Sequence, residues 1–329
     1  MISSRFLRSG MSLAAALLIG GSAGFAVLHS SAALAAAPLS KVTAPGFYRT
    51  TLGYFEITAL SDGTVQLPME KLLTNTTPGK VNKAFEKYHI STPVDTSVNG
   101  YLINTGNKLV LIDTGAGKLF GPTLGKLVTS LKASGYTPDQ IDEIYITHMH
   151  ADHVGGLTDE NGVVFPNAVV RADVHDADFW LSEENLNKAA DGDKGFFQGA
   201  MISLLPYIKA GKFKPFNGDT NLMPGIKAVS SYGHTPGHTI YEIESAGQKL
   251  MLWGDLMHVA AVQFDNPAVT IQFDSDSKNA AIQRKKAYAD AAKQGYMVGA
   301  AHISFPGLGY VRPEGKAYAW TPLNYVSWP

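Results

Sequence analysis

The sequence predicts an α+β fold, a four-layer αββα sandwich in which two sheets lie face to face with helices outside. Three observations predict it. Strand-like runs come in two batches, with helices between and after them. Antiparallel hairpins are mixed with strand–loop–helix units, which suits a layered sandwich better than a doubly wound sheet. Each cluster of metal-liking side chains follows the C-terminal end of a strand, or lies one turn beyond it.

The elements follow in chain order. Arg5 and Arg8, the apolar stretch Met11 to Leu28, and Ala33-Leu34-Ala35 have the three parts of a cleavable secretory signal. The expected domains are therefore a leader over 1–35, removed near Ala36, and a single domain over 36–329. The mature protein is expected in the periplasm or outside the cell, without a stable membrane anchor. "YFEITALSDGTVQLP" reads as a hairpin turning at Asp62-Gly63. "SVNGYLINTGNKLVLIDTG" reads as a second, turning at Gly106-Asn107. Leu124, Leu127, Val128 and Leu131 recur at helical spacing, and Gly135 stops the helix. "IDEIYIT" is a strand, "AVVRADV" another, and "DADFWLS" begins a helix. Polar, glycine-containing 183–200 is expected to be a mobile loop. "IKAVSSYG" is a strand, and "TIYEIESAGQKLMLWGD" a hairpin around Ala246-Gly247. "NAAIQRKKAYADAAKQG" is a helix closed by Gly295, and "YMVGAAHIS" reads as the last strand.

Composition narrows the function. The chain has 329 residues and a formal net charge of −1, with Lys and Arg scattered, so no basic stripe invites nucleic acid. Cysteine is absent, which excludes disulfides, thiolate ligands and a cysteine nucleophile. Any metal chemistry must use His, Asp and Glu. "THMHADHVGGL" supplies His148, His150, Asp152 and His153 after one strand. His234, Asp255 and His302 follow three others. These seven N/O ligands are too many for one tetrahedral zinc and suit two ions sharing one carboxylate. His148 and His150 are two apart, so in an extended turn both rings point the same way. Gly155 and Gly156 allow the next helix to pack closely.

"HMHADH" resembles the His-x-His-x-Asp-His signature of the metallo-β-lactamase superfamily. His234 in "GHTPGH", Asp255 in "WGD" and His302 in "AAHIS" match its other ligand positions in order. The resemblance spans essentially the whole mature chain. More narrowly, "DEIYITHMHADHVGGL", "FPNAVVRAD", "KAGKFKPF" and "AAVQFD" look like the methyl parathion hydrolase branch, with its related lactonases and aryl esterases. The resemblance implies one metal on His148, His150 and His234, a second on Asp152, His153 and His302, and Asp255 as bridge. The ions would be zinc, with Mn, Fe or Co as alternatives, because His/Asp sites accept all of these. Asp113 in "LIDTG" matches a further family carboxylate. It either orients a ligand histidine or caps the turn before Gly115. His238 would order the loop presenting His234. A homodimer is implied by resemblance alone.

The implied chemistry is hydrolysis by a hydroxide between two metals about 3.5–4 Å apart, with Asp255 shuttling a proton. Phe120, Trp180 and Phe196 match aromatic residues that line the pocket mouth in phosphotriesterase-type members; taken singly, each also reads as ordinary core. Leu72, His258, Ile271 and Phe273 depart from the methyl parathion hydrolases, and the 191–194 loop "DGDK" is one residue shorter. A bulky Phe273 and a polar His258 leave less room for a tetrahedral phosphotriester than for a planar lactone. His258 is either a donor to the substrate or a plain pocket wall. The expected activity is therefore on small aromatic lactones and aryl esters, with weak phosphotriesterase activity beside it. Organophosphate hydrolysis as the main activity is the alternative.

Overall fold

The computed structural model describes Ala37 and residues 39–327. Its first sheet has six strands in sequential order: β1 (Phe47–Leu52), β2 (Phe55–Leu67), β3 (Val94–Asn104), β4 (Leu109–Ile112), β5 (Glu143–Tyr145) and β6 (Val169–Arg171). The second has seven: β7 (Thr220–Met223), β8 (Ile226–Ser230), β9 (Thr239–Ser245), β10 (Gln248–Leu252), β11 (Met297–Gly299), β12 (Leu308–Glu314) and β13 (Ala317–Pro322).

The period-2 alternation of strand side chains sorts apolar residues into separate cores. Tyr101, Ile103, Val110 and Ile112 meet Tyr241, Ile243, Leu250 and Leu252 between the sheets. The alternate residues point outward. Leu102, Leu111 and Ile144 pack under helices α1 (Leu127–Ala133) and α2 (Lys194–Lys209) through Leu127, Leu131, Ala200 and Leu204. Met251 and Val298 pack under α3 (Ser277–Gln294) through Ala287, Tyr288 and Ala291. This is the αββα sandwich. Each fully buried leucine or isoleucine in these layers contributes about 1.5–3 kcal/mol. Asp276 caps α3 by accepting the Asn279 N–H, and Gly295 ends it in the left-handed region at φ 70°.

Strand direction positions the site. β4, β5 and β6 are parallel neighbours, and so are β10 and β11. Parallel strands end on the same edge. The loops that carry Asp113, His148–His153, Asp255 and His302 therefore open together. β8 lies two antiparallel steps from β10, so it runs the same way and delivers His234 to that edge.

From Ala44 onward the chain forms one compact unit. Among the described residues no helix is long and apolar enough to cross a membrane. The expected leader over 1–35 lies outside the described residues.

Three expectations need correction. The Asp62-Gly63 hairpin is instead one long strand, β2, with a bulge between Ser61 and Gly63. Asp62 is the extra residue, and its buried carboxylate accepts the N–H groups of Ala116, Gly125 and Leu127 at 2.9–3.0 Å. A buried anchor has the same local sequence as an exposed turn. Residues 183–200 are mostly helical: Glu183–Lys188 is a helix capped by Ser182, α2 begins at Lys194, and only the turn over 189–193 joins them. Phe197, Ala200 and Leu204 bury one face of α2, which outweighs the polar, glycine-containing composition. "YMVGAAHIS" is not the last strand, because the antiparallel pair β12/β13 follows it.

Candidate metal centre

His150, Asp152 and His153 leave β5 through a single helical turn, Ala151–Val154, with His150 as its N-cap. That turn packs against the chain after β4 with no room for side chains. A Cβ on Gly155 would lie 2.1 Å from the Ala116 carbonyl oxygen, and one on Gly156 2.0 Å from that of Thr114. The close approach expected of these glycines is real, though it is to the loop after β4 rather than to the sheet.

The predicted residues converge as two sets. The ligand atoms of His148, His150, His234 and Asp255 lie within 4.8 Å of one another, and so do those of Asp152, His153 and His302. Asp255 stands between the sets. Its Oδ2 is 3.3 Å from His234 Nε2 and 3.6 Å from His148 Nε2. Its Oδ1 is 3.1 Å from His153 Nε2 and 3.0 Å from His302 Nε2. His150 aims Nδ1 inward, 3.1 Å from His234 Nε2.

Several of these atoms are buried without a hydrogen bond: His148 Nε2, His153 Nε2 and Asp255 Oδ1. Buried polar atoms are ordinarily paired, and orphans on both sides of Asp255 fit cations between the two ligand sets. The electrostatics agree. Burial, then the neighbouring rings, holds His148 and His150 well below the usual imidazole range, so both are neutral donors. Burial opposes charge on His153 too, but the carboxylates of Asp255, Asp152 and Asp113 outweigh it and hold its pKa well above normal. A metal ion taking that proton's place serves the same carboxylates.

The far sides of the ligands are fastened. His153 Nδ1 donates to Asp113 Oδ2 at 2.8 Å. Asp113 also accepts the Thr147 N–H and hydroxyl, both at 2.8 Å, so it serves both roles open to it: it orients a ligand and ties its turn. The Thr147 hydroxyl thereby keeps a lone pair toward His148 Nδ1, 3.1 Å away. His238 donates from Nδ1 to the Ser231 carbonyl, and its Nε2 accepts the Asp255 N–H, both at 3.1 Å. It thus orders the His234 loop and also seats Asp255. Burial, then the charge of His234, pushes its pKa down to about 3, which keeps that acceptor free.

Two fasteners escape the sequence. Asp274 Oδ1 accepts from His234 Nδ1, and the Ser97 carbonyl accepts from His302 Nδ1, each at 2.8 Å. Asp274 lies forty positions beyond its partner with no fixed spacing. A backbone carbonyl leaves no residue signature at all.

Above the ligands is an inner cavity of about 50 Å³, walled by Phe120, Phe196, His258 and Phe273 over Asp152, Asp255 and His302. His258 Nε2 lies 3.1 Å from Asp255 Oδ2. A second cleft of about 710 Å³ is lined by Trp180, Phe196 and Phe273 among others, and reaches His150. The rings of Phe196 and Phe273, with centroids 6.4 Å apart, stand between the two spaces. Leu72 and Ile271, expected in the pocket, line neither of these cavities. They belong to an apolar cluster that also packs against Phe273, because the short pairing of Leu73–Thr74 with Thr270–Ile271 turns them inward.

Residues 93–298 match the sequence model of the metallo-beta-lactamase superfamily. An N-acyl homoserine lactonase of Bacillus sp is 29% identical over 216 residues, 59% of this chain and 76% of that protein. One of Bacillus cereus is 27% identical over 207 residues, 56% and 74% of the two chains. Among solved structures, hydrolase AbOPH of the beta lactamase superfamily superposes with TM-score 0.83 at 35% identity, covering 87% of this chain and 100% of that one. AidC, a dizinc quorum-quenching lactonase in complex with a product, gives 0.79 at 27% identity, covering 86% and 99%.

Proposed function

The chain belongs to the metallo-beta-lactamase superfamily, and from that premise we propose that it is a two-metal hydrolase of small lactones and aryl esters, with weak phosphotriesterase activity beside it. The observation that carries the proposal is the placement of Asp255, whose carboxylate reaches both histidine sets, with Oδ2 near His234, Oδ1 near His153 and His302 close to both oxygens. His148, His150 and His234 would hold one divalent ion, Asp152, His153 and His302 the other, and Asp255 both. Such a pair supplies a Lewis acid for the substrate oxygen and water activated at neutral pH. The dizinc lactonase among the structural neighbours supports zinc.

The chain's own residues limit what reacts. The inner cavity is narrow and walled by Phe120, Phe196, His258 and Phe273, which suits a planar ester group better than a phosphorus centre with two alkoxy arms. The rest of a substrate extends past Phe196 and Phe273 into the larger cleft. His258 Nε2 faces the inner cavity, where it is placed to donate to a carbonyl or departing oxygen. The lactonase relatives favour a lactone over an open ester, and N-acyl homoserine lactones join aromatic lactones as substrates to try.

The test is a ratio. The zinc-loaded chain from Ala36 is assayed for kcat/KM on dihydrocoumarin, an N-acyl homoserine lactone and an aryl dimethyl phosphorothioate. Lactone turnover is expected to dominate by orders of magnitude; a phosphotriester preference would overturn the substrate reading. Export belongs to the same proposal, and its check is the N-terminus of the protein recovered from a periplasmic fraction. A start near Ala36 supports export, and an intact Met1 defeats it.

A further inference from the structure

We propose that Asp176, which the catalytic reading leaves without a role, is the positioning residue that joins the two loops bearing His148, His150 and His234. The inference rests on the two-metal reading and extends it. Asp176 sits in the helix Val174–Trp180 and has no exposed surface. Its Oδ2 accepts the N–H of Met149, the residue between His148 and His150, at 2.8 Å. Its Oδ1 accepts the N–H of Gly237, three residues past His234, at 2.6 Å. One rigid carboxylate thus spans two segments that come from different sheets and are 84 residues apart at their histidines.

Two further features belong to the same device. Gly237 must be glycine, because a Cβ there would lie 2.5 Å from the Asp176 nitrogen. Trp180, one helical turn beyond Asp176, packs edge-on against the His150 ring at 5.2 Å. The same helix therefore holds the loops by hydrogen bonds and a ligand ring by packing. None of these contacts reaches Asp152, His153 or His302; His153 is held by Asp113 and His302 by the Ser97 carbonyl. The two metal positions share Thr147 and the loop 148–153, but Asp176 grips that loop only between His148 and His150, so its loss bears more on the first position than on the second.

Asp176→Asn tests this with little change of shape. An amide offers one acceptor where the carboxylate offers two, so either Met149 or Gly237 must face an NH2 group. The metal-free full chain, wild type and variant, is titrated with Co²⁺ and followed by visible absorption, with anomalous diffraction to assign each site. Expected is two-ion uptake by wild type. In the variant, affinity falls about 10–100-fold at the His148/His150/His234 position, the usual range for such partners, and by clearly less at the other. Equal weakening of both positions, or no change in either, overturns the inference. Wild type binding fewer than two ions defeats the metal reading itself, and this proposal with it. Should Asp176→Asn fail to fold, Gly237→Ala carries the same expectation from the other side of the contact. Misfolding of both variants would make Asp176 a determinant of the fold and overturn its positioning role.

Discussion

The floor of the site and its roof are built in different ways. The floor is a set of short loops at strand ends, with the rings of His148, His153, His234 and His302 fastened on their far sides by a hydroxyl, a carboxylate or a carbonyl. The roof is aromatic: Phe120, Phe196 and Phe273 come from separate segments, Phe273 meets Phe196 and His258 by ring packing, and Phe120 packs against the cluster of Val98 and Leu124. Hydrogen bonds fix direction, whereas ring contacts fix little beyond volume. The floor is therefore expected to decide whether metal binds, and the roof which substrate reacts. Substitutions in each can break that division.

The largest effect is expected at Asp255. Asp255→Ala removes the carboxylate that reaches both histidine sets and leaves buried rings crowded together. Activity should fall to background on every substrate, with metal content below two ions per chain by elemental analysis. Retained metal with lost activity would mean that the two sets hold their ions without the bridge.

Asp274→Asn comes next. It leaves all seven ligands in place and weakens the acceptor for His234 Nδ1–H, because the amide can keep an acceptor for the Ile271 N–H only by giving up His234. Zinc affinity should drop about 10–100-fold, as for other partners of ligating histidines, measured by competition with a chromophoric chelator. Lactone and phosphotriester activities should then fall by the same factor at limiting zinc. Unequal falls would place Asp274 in the roof's work through its neighbour Phe273.

The same division explains what could be read in advance. Coordination demands particular side chains at particular offsets, so His148, His150, Asp152 and His153 stand out within six residues. His234, Asp255 and His302 follow from the strand ends that precede them. Asp113 was visible but ambiguous until its contacts with Thr147 and His153 were known. The roof obeys no spacing rule. The polar run 183–200 looked like loop because its helices are stabilised by tertiary burial of Phe197 and Leu204 rather than by composition. Leu72 and Ile271 were expected in the pocket by resemblance alone, and nothing local shows that the end of the helix Met69–Leu72 and the short strand Thr270–Ile271 turn these side chains into an apolar cluster. Asp62 misled for the opposite reason: its Asp-Gly pair has turn chemistry, but the carboxylate spends it on three buried amides.

In the roof, Phe273→Leu should enlarge the inner cavity and open it toward the larger cleft, since this ring lines both. A change of this size in an apolar pocket discriminates by about tenfold or more. The kcat/KM ratio of phosphotriester to lactone should rise by that order while zinc content stays at wild-type level. Loss of zinc would show that the roof also supports the floor.

His258 tests where the boundary runs, because it belongs to both regions. Its ring lines the inner cavity, yet Nε2 lies 3.1 Å from Asp255 Oδ2 and the ring stacks on His302 with centroids 5.2 Å apart. Neither ring nitrogen has a hydrogen bond, although the residue is buried. A fastened ligand would have its far nitrogen occupied, as His153, His234 and His302 do. By that criterion His258 is roof, with its polar atoms reserved for substrate. His258→Leu should therefore keep two zinc ions, lower lactone turnover and raise the phosphotriester-to-lactone ratio. His258→Gln, which retains a donor, should restore part of the lactone activity. A ratio unchanged in His258→Leu would remove His258 from specificity, and a loss of zinc would move it to the floor.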